Sequence, residues 1–303
     1  MNLITLFSAP KPFTDPRIAM IQNNAIASWT RLQDVEVLLM GEEPGLEEAA
    51  ERHGVAHIRG VQRNESGTPL LSSMVQLARE RSENRALCII NSDMIILSDF
   101  VEAGRTIMSL NSRYVLMSRR WDLEVQAPIQ FSDRWEERIR WAVREQGVLH
   151  RPAGSDFFLF PRMLYKDLPP FAIGRAGWDN WMIYHARKEH WPVIDGTPSL
   201  MIVHQNHDYS HLPGGEPHYS MPESDENIRL AGGEAAIRYT IVDATHCLRG
   251  GKLARPPLTY LRFMRAVELL LRMIFFFLPP KAIEQVARPK RWKKRVLRLI
   301  GIR

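Results

Sequence analysis

The chain has 303 residues, 45% of them hydrophobic, which suits one large α/β domain with an appendage. Its net charge of +6 is unevenly spread: residues 255–303 hold 13 Lys and Arg against 2 Asp and Glu, and the preceding 254 hold 27 against 32. A mildly acidic body argues against nucleic acid as a partner, because a nucleic-acid enzyme spreads basic charge over a binding face.

Leu3-Ile4-Thr5-Leu6-Phe7 reads as a first strand rather than a signal peptide, since it has no basic lead and no long apolar stretch. The loop Ser8-Ala9-Pro10-Lys11-Pro12 follows, and Asp15-Pro16 opens a helix to about Leu32, with Asp as cap and Pro at the first helical position. Val35–Met40 is a second strand ending at Gly41-Glu42, Leu46–His53 a short helix stopped by Gly54, and Val55–Ile58 a third strand. A polar loop over 60–69 leads into a helix from about Leu70 to Arg81. Leu87-Cys88-Ile89-Ile90 is apolar enough for a strand buried on both faces, as in a parallel sheet, and it ends in Asn91-Ser92-Asp93. Cys88 is a core residue. With Cys247 alone for company it makes no disulfide framework, so a reducing, cytoplasmic compartment is the simplest reading.

The second half is less regular. Strands are expected over Tyr114–Ser118, Asp156–Phe160 and Ser199–Val203, and helices over Asp133–Gln146 and Trp178–His190. Residues 212–235 read as loop. Strands alternating with helices at this spacing predict a three-layer, Rossmann-like, mostly parallel α/β sheet, spanning 1–254 and followed by helices over 255–303.

Four polar stretches fall at strand ends or helix starts. A carboxylate such as Asp93, flanked by apolar residues at a strand exit, either caps the next turn or binds a cation. Asp179 is either a first-turn helix acid favoured by the macrodipole or a site residue. The cluster His204-Gln205-Asn206-His207-Asp208-Tyr209-Ser210-His211 follows an apolar strand, and imidazole with carboxylate suits Mn²⁺ or Mg²⁺ shared with a diphosphate. Trp178 and Trp181 fit core packing or a sugar platform equally. Arg119-Arg120-Trp121 reads as surface charge, with a cleft wall as the alternative.

This order of features resembles GT-A glycosyltransferases over about residues 3–211. A Pro-containing loop follows the first strand, a D-x-D-like triplet ends a buried strand, and an acidic helix start and a late His come after it. Asn91-Ser92-Asp93, Gly154-Ser155-Asp156-Phe157-Phe158 and His204-Gln205-Asn206-His207-Asp208-Tyr209 are most similar to a little-characterised branch of that group. The resemblance implies a hexosyltransferase-type enzyme that takes a UDP- or GDP-sugar donor and uses Mn²⁺ or Mg²⁺. Ser8, Ala9, Pro10, Glu42, Asn91, Ser92, Asp93 and Asp156 would face the donor. Asp93 with His204 or His207 would hold the metal, Trp178 and Trp181 would meet the acceptor, and Asp179 would act as general base of an inverting reaction. Asn91 stands where the family carries an acid. Two other readings remain open: a nucleotidyltransferase that makes sugar nucleotides, whose Gly-rich first loop is absent here, and a catalytically silent GT-A-like module.

The tail has its own pattern. Residues 258–278 are largely apolar but interrupted by Arg262, Arg265, Glu268 and Arg272, Pro279-Pro280 ends the run, and a basic block spans Arg288 to Arg298. Apolar and aromatic residues joined to clustered cations suit a helix lying in an anionic membrane surface, or one docked on a partner. The expected placement is peripheral, on the cytoplasmic face, with a glycan or lipid-linked glycan as acceptor.

Overall fold

Alternation along the first strand sets the architecture. In β1 (Ile4–Ser8) Ile4 and Leu6 point to one side and Phe7 to the other, and each side has its own core. The computed structural model describes residues 2–153, 155–207 and 221–275. Contacts divide the chain into two compact units, Met1–Arg255 and Pro256–Arg303.

In the first unit, β1 pairs in parallel with β2 (Val35–Met40) and β4 (Ala86–Ile90), and β2 with β3 (Ala56–Ile58). β9 (Phe157–Pro161) runs antiparallel between β4 and β6 (Val115–Met117). β10 (Val193–Asp195), β12 (His246–Arg249) and β13 (Lys252–Ala254) complete a nine-stranded sheet ordered β13-β12-β10-β6-β9-β4-β1-β2-β3. One face is covered by α1 (Pro16–Trp29), α2 (Leu46–His53) and α4 (Asp99–Leu110) through Ile26, Trp29, Leu46, Phe100 and Ile107. The other is covered by α3 (Leu71–Arg81) and α6 (Trp178–Lys188) through Met74, Val75, Trp178 and Met182. This is the expected three-layer, mostly parallel α/β arrangement.

A second sheet was not apparent from the sequence. β5 (Met94–Ile96), β7 (Arg120–Leu123), β8 (Val148–Leu149) and β11 (Ile202–Gln205) form it in the order β5-β11-β7-β8. Leu123, Val203 and Ile95 on one side pack on Ile139 and Val143 of α5 (Trp135–Gln146). Trp29 Nε1 donates to Met94 O at 2.8 Å and fixes β5 beneath α1.

Three expectations are corrected. The strand expected over Ser199–Val203 is Ile202–Gln205, because β5 and β7 flank it and carry pairing through His204. The strand expected over Asp156–Phe160 begins at Phe157, leaving Asp156 as the residue that enters it. Within the expected loop over 212–235 lies α7 (Pro222–Leu230), started by its Pro and by acids in the first turn, and buried at Asn227. Asn227 bonds both the N–H and the carbonyl of Ala172.

In the second unit, α8 (Tyr260–Ile274) is capped by Thr259, whose hydroxyl accepts from Arg262 N at 3.3 Å. Glu268 pairs with Arg265 at 2.9 Å and Arg272 at 3.0 Å. No helix among the described residues is long and apolar enough to cross a membrane. The basic block over 288–298 lies outside the described residues.

Candidate functional site

The carboxyl ends of β1 and β4 are adjacent, and the residues leaving them build the site. Ser8 Oγ donates to Ile90 O at 2.6 Å and binds the two strand ends together. Gln22 of α1 grips the loop beyond: its Nε2 donates to Lys11 O at 2.9 Å, and its Oε1 accepts from Lys11 N at 2.6 Å and Ser92 Oγ at 3.1 Å. Ala9 packs on the core and Pro10 is buried. Burial lowers the Lys11 ammonium, nearby Asp93 raises it and Arg175 lowers it further. Glu42 lies exposed after β2, accepting from Gly60 N at 3.3 Å.

Asp93 leaves the turn between β4 and β5. Its Oδ2 stands 3.1 Å from His207 Nε2 and 3.6 Å from His204 Nε2. One carboxylate oxygen and one nitrogen from each histidine lie within 4.8 Å of one another. Asp93 Oδ1 is buried and has no hydrogen-bond partner among the described residues. A buried acceptor without a donor is costly, and a cation is a group that would satisfy it. One carboxylate, two imidazoles and an orphaned oxygen therefore fit a divalent ion. Two nitrogen donors suit Mn²⁺ better than the oxygen-preferring Mg²⁺. Burial pushes the Asp93 carboxyl up, but the charge and hydrogen bonds of His204, with those of His207, outweigh it and hold it well below the usual range. Burial lowers His204, while Asp93 and Asp122 outweigh that and raise it to about 9. Gln205, fully buried, donates to Ile21 O at 2.9 Å and Asp93 O at 3.2 Å, locking the Asp93 backbone to β11. Asp208 and His211 lie outside the described residues.

Asn91 and Asp156 meet where β4 and β9 separate. Asn91 N donates to Asp156 O at 2.9 Å, and Asn91 Nδ2 to Asp156 Oδ1 at 3.0 Å. Arg120 Nη1 reaches the same Oδ1 at 2.6 Å. Asp179 lies in the first turn of α6, which follows Gly177, whose φ of 104° side-chain-bearing residues rarely adopt. Its Oδ2 accepts from Ser155 N at 3.3 Å. Burial, with a smaller push from Asp156 and against the backbone N–H groups of Asn180 and Ser155, raises its carboxyl to about 6.

Trp178 and Trp181 belong to the core. They are 4% and 7% exposed, Trp178 packs edgewise on Phe158, and Trp181 stacks on His185 beside Phe171. Burial this deep favours core packing, the first of the two readings, over an acceptor platform for both. Arg120 is corrected: half-buried, it bridges Asp122 and Asp156. Gln22, Asp122, His150 and Gln205 escaped the sequence reading. A strand drawn over Arg120–Leu123 would have exposed part of this, since Arg120 and Asp122 then share a face.

No protein-family model matches the sequence, and no curated protein matches it. Solved structures do. The Staphylococcus aureus protein TarS (residues 1–349), in complex with UDP-GlcNAc, superposes with a TM-score of 0.51 at 12% identity, covering 76% of this chain and 65% of TarS. The chain thus spans just under two thirds of that structure. Glucosyl-3-phosphoglycerate synthase of Mycobacterium tuberculosis, solved with Mn²⁺, UDP and phosphoglyceric acid, is a looser likeness at TM-score 0.47 and 14% identity, covering 85% and 87%. The sheet order and the superposition on TarS agree: this chain has the GT-A fold.

Proposed function

We propose that the chain is a metal-assisted glycosyltransferase that moves a sugar from a UDP- or GDP-sugar onto a hydroxyl acceptor. The observation that carries this is the convergence of Asp93, His204 and His207 at the carboxyl end of β4 in a GT-A fold. Ligands of open α/β sheets bind outside the carboxyl ends of the strands. The loop Ser8-Ala9-Pro10, Glu42 and the triplet Asn91-Ser92-Asp93 would meet the donor, and TarS supplies the analogy of a bound UDP-sugar. A divalent ion held by Asp93, His204 and His207 would neutralise charge on the departing diphosphate.

Asp179 is assigned as general base. A carboxyl raised to about 6 is ionised at neutral pH yet basic enough to take the acceptor proton as that oxygen attacks the anomeric carbon. Attack opposite the leaving group inverts the anomeric centre. Asp156, braced by Asn91 and Arg120, would orient a sugar hydroxyl.

The acceptor is proposed to be a glycan or lipid-linked glycan reached from a membrane surface. On α8, Phe263, Val267, Leu270 and Ile274 share one face, and Arg262, Arg265, Glu268 and Arg272 share the other. Phe263, Leu270 and Ile274 are exposed. With the basic block that follows it in sequence, this helix suits an anionic bilayer, peripheral on the cytoplasmic side.

A panel of nucleotide sugars read by thermal shift, with and without Mn²⁺, tests the donor assignment. A shift for one UDP- or GDP-sugar that needs Mn²⁺ and disappears in Asp93→Ala is expected. No shift with any donor would leave the silent module as the better reading.

A further inference from the structure

Beside the candidate ligands stands a second carboxylate that the proposed chemistry does not use. Asp122 lies on β7 directly opposite His204 on β11, its register partner in a parallel pair. Both of its oxygens are engaged. Oδ1 accepts from Arg120 Nε at 2.9 Å and stands 3.2 Å from His204 Nδ1, a contact not aligned as a straight hydrogen bond. Oδ2 meets His150 Nδ1 at 2.6 Å. His150 is fixed in turn by its backbone: its N–H donates to Arg120 O at 2.9 Å, and its carbonyl accepts from Arg119 Nε at 2.7 Å. The small sheet and its flanking turns therefore bring together Asp93, His204, Asp122 and His150, in which carboxylate and imidazole alternate.

The order of that row has a chemical meaning. A neutral imidazole offers a lone pair from one nitrogen only when its proton sits on the other. In His204 the nitrogen facing Asp93 is Nε2, and the nitrogen facing Asp122 is Nδ1. An ionised carboxylate accepts and does not donate. Asp122 thus favours a proton on Nδ1, as Asp93 does on Nε2 until a cation takes that lone pair, so the ring that meets a cation keeps its proton on the Asp122 side. Histidines that ligate metals almost always donate their second nitrogen to a carboxylate or carbonyl, and Asp122 Oδ1, 3.2 Å from Nδ1, is the carboxylate placed to take that bond after a small turn of the ring.

We infer that Asp122, braced by Arg120 and His150, is a positioning residue that sets the ring orientation and tautomer of His204 for a divalent cation held with Asp93 and His207. The inference rests on the metal-assisted reading above. It does not follow from the GT-A fold, since it depends on a strand pairing between residues 122 and 204 of this chain.

The test is a Mn²⁺ titration of the full chain, with free ion followed by electron paramagnetic resonance, for wild type, Asp122→Asn and His150→Ala. The metal-free Tm of each is measured in parallel. In Asp122→Asn an amide N–H can face His204 Nδ1 and favour the wrong tautomer. Mn²⁺ binding should weaken ~10–100-fold, and the metal-free Tm should fall modestly, because Arg120 and His150 lose an ionised partner. His150→Ala, at a partly exposed position, removes one brace and should weaken binding about threefold or more. Equal Mn²⁺ affinity in wild type and Asp122→Asn would overturn the positioning role and leave the cation site standing. No Mn²⁺ binding by the wild type would overturn both. Should Asp122→Asn fail to fold, unchanged affinity in His150→Ala overturns the role.

Discussion

Asn91 donates its side-chain amide to Asp156 where β4 and β9 part, Nδ2 to Oδ1 at 3.0 Å. An acid in that place would press one carboxylate against another, so the residue that departs from the D-x-D pattern is the one Asp156 requires. Asn91→Asp is expected to destabilise the protein by about 1–3 kcal/mol near neutral pH and to bring no gain in Mn²⁺ affinity. The deficit should shrink towards acidic pH, as one carboxylate of the pair takes a proton. Chemical denaturation across pH measures it, and an unaltered stability would show that the amide contact carries no weight.

Asp179 should be a burden on stability as well as a base. Its folded-state carboxyl is raised to about 6 from an ordinary 3.8. Such a group contributes stability below its unfolded pKa and loses it as pH rises through the folded one. Asp179→Asn should therefore be more stable than wild type at pH 7–8, by up to about 3 kcal/mol, with the advantage vanishing below about pH 4. Turnover should fall ~10²–10⁴-fold in the same variant. In the wild type, kcat should drop about tenfold per pH unit below 6. Thermal melts and a pH–rate profile check both halves.

Gln22 ties the loop after β1 to Ser92 through three hydrogen bonds from a buried amide. Gln22→Leu keeps the volume and leaves those partners unpaired. A loss of about 2–4 kcal/mol in urea unfolding is expected, with a raised KM for the donor and little change in kcat.

Trp181→Ala should behave as a core truncation, costing about 3–5 kcal/mol. Trp181→Phe, which keeps most of the packing, should leave the acceptor KM unchanged. A rise in acceptor KM with stability intact would restore the sugar-platform reading.

For α8, flotation with vesicles of neutral phosphatidylcholine and with vesicles containing phosphatidylserine separates the possibilities. The full chain should float with the anionic vesicles, less so at high salt. Phe263→Glu with Leu270→Glu should abolish flotation. Equal flotation after truncation before Arg255 would remove the tail from the interaction, and a change of oligomeric state in the double variant would point to a second copy instead.

Locally encoded features were legible in the sequence. Asp15-Pro16 marks a helix start because cap and ring act within one turn, and Asp15 Oδ1 accepts from Ile18 N at 2.9 Å. Leu87–Ile90 announces a buried strand by composition alone. The second sheet was hidden because its strands are two to four residues long and its central strand β11 pairs with β5 and β7 across 82 or more positions. Arg120 looked like surface charge because its partners Asp122 and Asp156 meet it only once β7 forms and comes beside the entry to β9. Trp178 and Trp181 could not be separated from sugar-stacking residues by type. Their low exposure in the folded chain favours the core.

Asp93 and His207 approach within 3.1 Å although 114 positions separate them. A cation bridging them would close a loop running from the turn after β4 to the end of β11, and it could do so only after β5 and β11 had paired. Occupancy would then act as a thermodynamic staple: an ion at a hundred times its dissociation constant, bound by the native state alone, adds about 2.7 kcal/mol. Metal supply would then bear on the protein's stability as well as on its chemistry.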